Sequence, residues 1–293
     1  MQIVAKGLKY TYSKKAKGLA SHALNGVDLT VDEGDFFGII GHTGSGKSTF
    51  VQHLNGLLKM GKDSGSLTIG EFNLADKKCD FKELRKRVGM VFQYPEHQLF
   101  AETVSDDVAF GLKNFYKDLT AQEKEGKVRR ALQVVGLDYD KIKDKSPFEL
   151  SGGQKRRVAI AGVIVTEPEI LVLDEPVAGL DPQGKRDFIN LLHRLKDGVV
   201  KTIIIVSHDM NVVSENCNKV AVFNKGTVAL CGSVKEVFSH GDELVEMGLE
   251  LPLTAVLTNA LKEVGVFVDS DLTVEDFANA VLAKTTAEKG DSL

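Results

Sequence analysis

The chain has 293 residues, 43% hydrophobic and 27% charged, which suffices for one large core with an appendage or for two modest domains. A net charge of −4 provides no global basic field for holding nucleic acid. The longest apolar stretches, such as 158–165 and 202–206, fall far short of the ~20 residues a membrane helix needs, and the opening MQIVAKGLKY lacks a signal-peptide pattern.

The opening third reads as short strands, IVAKGLKYTY, LNGVDLTV and DFFGIIG, punctuated by Gly and Asp-Glu-Gly turns. The third strand runs into Gly41-His42-Thr43-Gly44-Ser45-Gly46-Lys47-Ser48, and a helical pattern with Thr49 near its start follows from Ser48. This is P-loop spacing in the strand-to-helix frame it requires. Glycines let backbone N–H groups curl around phosphate oxygens, Lys47 supplies a cation to the β- and γ-phosphates, and the Ser48 hydroxyl is a candidate Mg²⁺ ligand.

Residues 65–74 return to strand character, and from about Phe81 to Val165 the text is charged and rich in helical pattern. That middle section contains Leu150-Ser151-Gly152-Gly153-Gln154. In isolation Ser151 reads as a helix N-cap; beside a P-loop, the same hydroxyl and glycine amides make a second anion site.

Buried strands are expected at 170–173 and 202–206, separated by a helix that opens at Asp181-Pro182, so the core is α/β. Asp174 and Glu175 end the first of these strands, at the ligand edge of an open α/β sheet. Asp174 can reach a metal shared with Ser48, and Glu175 can accept a proton from the water attacking the γ-phosphate. A hairpin is expected around Asn224-Lys225-Gly226. Residues 229–293 hold 4 Lys, no Arg and 12 Asp or Glu, an acidic extension of short helices with a polar tail, TTAEKGDSL. Cys79, Cys217 and Cys231 form no Cys-x-x-Cys pair and fit a reducing compartment.

With these motifs the chain resembles ATP-binding cassette ATPases over at least residues 1–228. The resemblance implies a P-loop NTPase core with an antiparallel β subdomain, a helical insert at about 95–163, and a small, mostly helical extension at 229–293 as a candidate dimerisation element. Tyr12 matches the aromatic that stacks on adenine. Gln93 matches the loop glutamine that touches metal and water, Ala178-Gly179-Leu180-Asp181 the loop crossing the dimer interface, and His208 the switch histidine. The implied catalytic set is Glu175, His208 and Gln93, with Ser48, Gln93 and Asp174 toward Mg²⁺. ATP would contact Tyr12 and residues 41–49 of one chain and Ser151, Gly152, Gly153, Gln154 and Asp181 of its partner.

The stretches VFQYPEHQLF and RVAIAG, with Gly162 where ordinary importers carry Arg, are similar to energy-coupling factor (ECF) transporter ATPases of the A-prime, or second, type. That resemblance implies uptake of a vitamin or metal ion from a peripheral position on the cytoplasmic face of the membrane. The implied partners are a second related ATPase in a heterodimer (or a second copy in a homodimer), a transmembrane coupling subunit and exchangeable substrate-capture membrane proteins, with no nucleic acid. Pro95 is expected to restrain a groove at Tyr94-Pro95-Glu96. Glu96 would there meet an Arg of the coupling subunit, or else stand as a solvated loop carboxylate.

A conventional substrate-specific transporter ATPase is the first competing reading. A chromosome or DNA-repair cassette would separate P-loop and signature by a long coiled coil, whereas Lys47 and Ser151 lie 104 residues apart without sustained heptads. A translation-linked cassette would carry two P-loops, and one is present.

Overall fold

In the computed structural model, residues 1–12, 21–269 and 272–290 are described. Strands β1 (Ile3–Tyr12), β2 (Ser21–Val31) and β3 (Phe36–Ile40) precede helix α1 (Lys47–Leu54). Next come β4 (Ser66–Ile69), β5 (Phe72–Asn73), α2 (Phe81–Arg87) and β6 (Val88–Val91). The middle section holds a 3₁₀ turn at Pro95–Gln98 and helices α3 (Val104–Phe115), α4 (Ala121–Val134), α5 (Tyr139–Ile142) and α6 (Gly152–Ile164). Then follow β7 (Ile170–Asp174), α7 (Pro182–Gly198), β8 (Thr202–Val206), α8 (Met210–Asn216), β9 (Lys219–Asn224) and β10 (Thr227–Ser233). The chain continues through α9 (Val234–Ser239), α10 (Gly241–Glu246), α11 (Leu253–Glu263) and α12 (Val274–Gly290).

Two sheets result: a four-stranded antiparallel sheet ordered β2-β1-β4-β5, and a six-stranded sheet ordered β10-β9-β3-β8-β7-β6. All neighbours in the second sheet are parallel except the edge pair β9–β10. Period-2 alternation along its strands sends side chains to two separate cores. Leu171, Leu173, Ile203 and Ile205 join the apolar faces of α3, α4, α6 and α7; Ile170, Val172, Ile204 and Val206 pack with α1, α2 and the antiparallel sheet. Full burial on both faces explains why β7 and β8 read as unbroken apolar runs, each such side chain contributing about 1.5–3 kcal/mol.

Strand β6 lies within the section read as rich in helical pattern and is not separately expected, since four residues, Val-Gly-Met-Val, are too short to display a period. Gly89 is required there because a Cβ would stand 2.7 Å from Val163 Cγ1. The expected hairpin closes on Lys225 and Gly226, both at positive φ (47° and 80°), the two-residue turn that suits strand twist. Position 228, where a boundary is expected, falls inside β10, and Val234, Val237, Phe238, Leu244 and Ala255 of the following helices join the core of the sheet. Of the polar tail, α12 continues to Gly290 and residues 291–293 lie outside the described set. Among the described residues, no helix is long and apolar enough to cross a membrane.

Candidate functional site

Parallel order brings four strand ends to one edge. Ile39 of β3 is level with Val206 of β8, Val206 with Asp174 of β7, and Leu173 with Val91 of β6. The residues that leave those ends are the P-loop, His208, Glu175 and Gln93, so elements up to about 170 positions apart in sequence converge where α/β sheets bind ligands.

The P-loop turns back sharply on itself. Gly41 has φ 147°, and a Cβ there would lie 2.3 Å from the Phe223 carbonyl oxygen; Gly46 has φ 107°, with the Ala23 carbonyl oxygen 2.6 Å from its notional Cβ. Inside the loop, Lys47 Nζ donates to the carbonyls of Gly41 (2.6 Å) and His42 (3.0 Å). Burial lowers the Lys47 ammonium from its ordinary value, while Glu175 and Asp174 pull it back up. His42 bridges the Thr43 carbonyl and Asn224, and Ser45 Oγ is buried without a hydrogen-bond partner. The Ser45 hydroxyl therefore faces the fold, and its backbone N–H donates to the His42 carbonyl (3.1 Å), closing the turn of the loop.

Ser48 Oγ lies 3.4 Å from Asp174 Oδ1. Burial raises the Asp174 carboxyl above its ordinary value, an effect increased by Glu175 and opposed by Ser48 and Lys47. A hydroxyl and a carboxylate at this separation fit neighbouring corners of an Mg²⁺ octahedron, whose edge is about 3 Å. Among the described residues no group of three or more His, Cys, Asp or Glu could hold a metal.

Glu175 stands at φ 50°, a left-handed conformation costing on the order of 1–3 kcal/mol in a non-glycine residue. Its backbone N–H donates to the Val206 carbonyl (2.9 Å), and its Oε2 lies 2.7 Å from His208 Nδ1. The strained turn thus aims the carboxylate at the edge rather than along the strand. His208 is 73% exposed at its side chain, so this pairing sits at the open side. Gln93, two residues past β6, is exposed beside Tyr94, which has φ 54°.

Ser151 and Gln154 form a capping box at the start of α6: Ser151 Oγ accepts from Gln154 N–H (3.3 Å), and Gln154 Oε1 accepts from Ser151 N–H (3.1 Å). Ser151, Gly152 and Gly153 are exposed. Asp181 caps α7, accepting from Gly184 N–H at 2.6 Å. These candidates are the exposed starts of α6 and α7. Tyr12 is 39% exposed, and its hydroxyl lies 3.2 Å from Thr49 Oγ1.

Glu96 requires a correction. It neither projects toward a partner nor stands solvated, because Arg156 takes it in a two-pronged ion pair: Nε donates to Oε2 (3.0 Å) and one terminal nitrogen to Oε1 (3.1 Å). The same guanidinium donates to the carbonyls of Pro176 and Ala178, both at 3.3 Å. Arg156, on α6, therefore joins the Gln93 loop and the loop after Glu175 to that helix, a role that no local motif marks. A cleft of about 270 Å³ is lined by Arg85, Leu99, Phe100, Phe110 and Gly162; Tyr94, Pro95 and Glu96 are not among its lining residues, so it is not the groove expected at those three positions. A Cβ on Gly162 would meet Asp107 and Val108 only at 3.8–3.9 Å, so helix packing does not demand glycine there. What glycine does is leave the cleft open where a long side chain would fill it.

Residues 24–178 match the family described as ABC transporter. The chain is 46% identical over 291 residues to the energy-coupling factor transporter ATP-binding protein EcfA2 of Clostridioides difficile, covering 99% of each chain. It is 48% identical over 287 residues to the protein of the same name from Acetivibrio thermocellus, covering 97% of this chain and 98% of that one. Among solved structures it resembles cbiO1 of Clostridium perfringens, described as part of the ABC transporter complex cbiONQ, with TM-score 0.71 and 38% identity over 88% of this chain and 98% of that one. A dimeric post-hydrolysis state of the cassette MJ0796 bound to ADP and Pi matches with TM-score 0.69 and 28% identity, over 79% of this chain and 98% of that one. The chain belongs to the ATP-binding cassette ATPases and, within them, to the energy-coupling factor transporter ATP-binding proteins. As such it is an ATPase that serves as the motor subunit of a transporter.

Proposed function

We propose that two such ATPases sandwich MgATP, each chain supplying a P-loop half-site and a signature half-site. The observation that carries this reading is that Lys47, Ser48, Asp174, Glu175 and His208 gather at the sheet edge of one chain, whereas Ser151–Gly153 and Asp181 stand exposed at the starts of α6 and α7, the side-chain bonds of Ser151 and Asp181 made within their own helix caps. Lys47 exchanges its loop carbonyls for phosphate oxygens, and Tyr12 stacks on adenine. Ser48 and Asp174, with Gln93, hold Mg²⁺, which when bound neutralises charge on the β- and γ-phosphates. Glu175 accepts the proton of the attacking water, and His208 steadies the carboxylate and the γ-phosphate.

The second ATPase is a related chain in a heterodimer, with the extension from about 229 onward contributing to pairing. A membrane-embedded coupling subunit seats a helix in the cleft beside Phe100 and Phe110, 60% and 50% exposed, and exchangeable membrane proteins bring a vitamin or metal ion. The complex sits at the cytoplasmic face. Purification from native membranes, with identification of the accompanying subunits, tests the proposal. Recovery with one related ATPase, one coupling subunit and several small membrane proteins is expected; recovery with a single dedicated permease would favour a conventional transporter.

A further inference from the structure

Beside the P-loop, four residues close a ring of contacts, Thr49 through both its backbone carbonyl and its hydroxyl. His53 Nδ1 donates to the Thr49 carbonyl (2.7 Å), and the His53 ring meets Tyr10 edge-to-face with centroids 4.8 Å apart. Tyr10 meets Tyr12 edge-to-face at 4.9 Å, and the Tyr12 hydroxyl returns to Thr49 Oγ1 at 3.2 Å. His53 is fully buried, and burial holds its imidazole below the ordinary value, so one neutral tautomer is present with Nδ1 as donor. Its Nε2 has no hydrogen-bond partner. A histidine here gives up one hydrogen bond, a penalty that leucine would avoid, in exchange for a fixed ring plane.

We propose that His53 and Tyr10 are positioning residues that hold Tyr12 as the platform for the adenine ring, in register with the phosphate site. The inference rests on reading Tyr12 as the adenine-stacking residue and adds what sets its orientation. Tyr12 ends a strand of the antiparallel sheet, whereas Lys47 and Ser48 begin α1 after a strand of the other sheet. Base and phosphates of one nucleotide are joined by a short chain of rotatable bonds, so the span between them is bounded, and a platform held at one place relative to α1 selects a single bound conformation. The ring provides that index: His53 and Thr49 both belong to α1, Thr49 holding the Tyr12 hydroxyl directly and His53 bracing Tyr10, which meets the Tyr12 ring, while 39% of Tyr12 stays exposed. A platform fixed before binding avoids the ordering cost at the moment of binding.

Calorimetric titration of the full-length chain with MgATP and with Mg-tripolyphosphate separates this role from mere packing. Tyr12→Phe keeps the stacking ring and removes the tether; His53→Leu keeps bulk and removes the hold on α1. Each is expected to weaken MgATP binding about three- to tenfold and leave tripolyphosphate binding unchanged, as loss of one such contact implies. Equal weakening of both ligands would mean that the P-loop helix itself was damaged, and unchanged ATP affinity would mean that Tyr12 needs no index; either result overturns the proposal. Should His53→Leu fail to fold, Tyr12→Phe, at a half-exposed position, carries the same test. Tyr12→Leu reports on the underlying reading: if it retains the full preference for ATP over tripolyphosphate, stacking on Tyr12 is wrong whatever His53 does.

Discussion

Glu96 and Arg156, sixty residues apart in the chain, meet through two charge-assisted hydrogen bonds of 3.0 and 3.1 Å, with side chains only 19% and 7% exposed. The guanidinium also holds two carbonyls of the loop after Glu175. Removing one partner of a buried pair leaves the other charge unsatisfied, at a cost of about 3–5 kcal/mol. Arg156→Met is therefore expected to lower unfolding stability in urea by that order, with an exchanged pair (Glu96→Arg with Arg156→Glu) recovering part of the loss. An Arg156→Met chain as stable as wild type would show that the pair contributes nothing to the loops it joins.

The same pair sets a pH dependence. Burial tends to raise the Glu96 carboxyl, but the Arg156 hydrogen bond and charge outweigh it and hold it below its ordinary value of 4.5. The folded chain then binds this proton less tightly than the unfolded chain, so the stabilisation is complete above pH 4.5 and is lost as pH falls through the depressed value. Stability curves of wild type and Glu96→Gln should be widest apart at neutral pH and converge in acid. A gap that stays constant down to pH 3 would contradict this.

Asp174 carries the opposite sign. Its folded-state value is raised above 3.8, chiefly by burial, so the nucleotide-free fold loses stability as pH rises through that value. Asp174→Asn is expected to stabilise the nucleotide-free chain at pH 7 by about 0.5–2 kcal/mol while abolishing Mg²⁺-dependent hydrolysis, a trade of stability for function. Thermal melts with and without MgATP check both halves. A less stable Asn variant would show that the buried charge is compensated in the fold.

Ser151 tests the shared site. In a mixed dimer, Ser151→Arg in this subunit and a P-loop lysine substitution in the other should silence the same nucleotide site, measured by trapping nucleotide at each site separately. Loss at different sites would sink the composite arrangement.

What could be read in the sequence follows from how local each feature is. The P-loop and the Asp174-Glu175 strand end are contiguous, and β7 and β8 announce themselves because both of their faces are buried. Strand β6 hides because four residues beside charged α2 carry no period. The Glu96–Arg156 pair and the His53–Tyr10–Tyr12 ring were illegible for a different reason: each joins segments brought together only by the tertiary fold, and the lone residues look like a loop carboxylate, a helix arginine and a sheet tyrosine. Strand β10 continues to Ser233, past the shift to acidic composition near 229, because a change in charge does not mark the end of hydrogen bonding.

The central claim is that Glu175, aimed by a left-handed turn and held 2.7 Å from His208 Nδ1, takes the proton of the attacking water. Glu175→Gln keeps the shape and cannot take that proton. Side-by-side measurement of MgATP affinity and steady-state hydrolysis in the assembled ATPase dimer decides the matter. The account predicts affinity within a few-fold of wild type and hydrolysis lower by ~10²–10⁴-fold. Hydrolysis by the Gln variant at near wild-type rate, with binding intact, would contradict it and remove Glu175 from the chemistry.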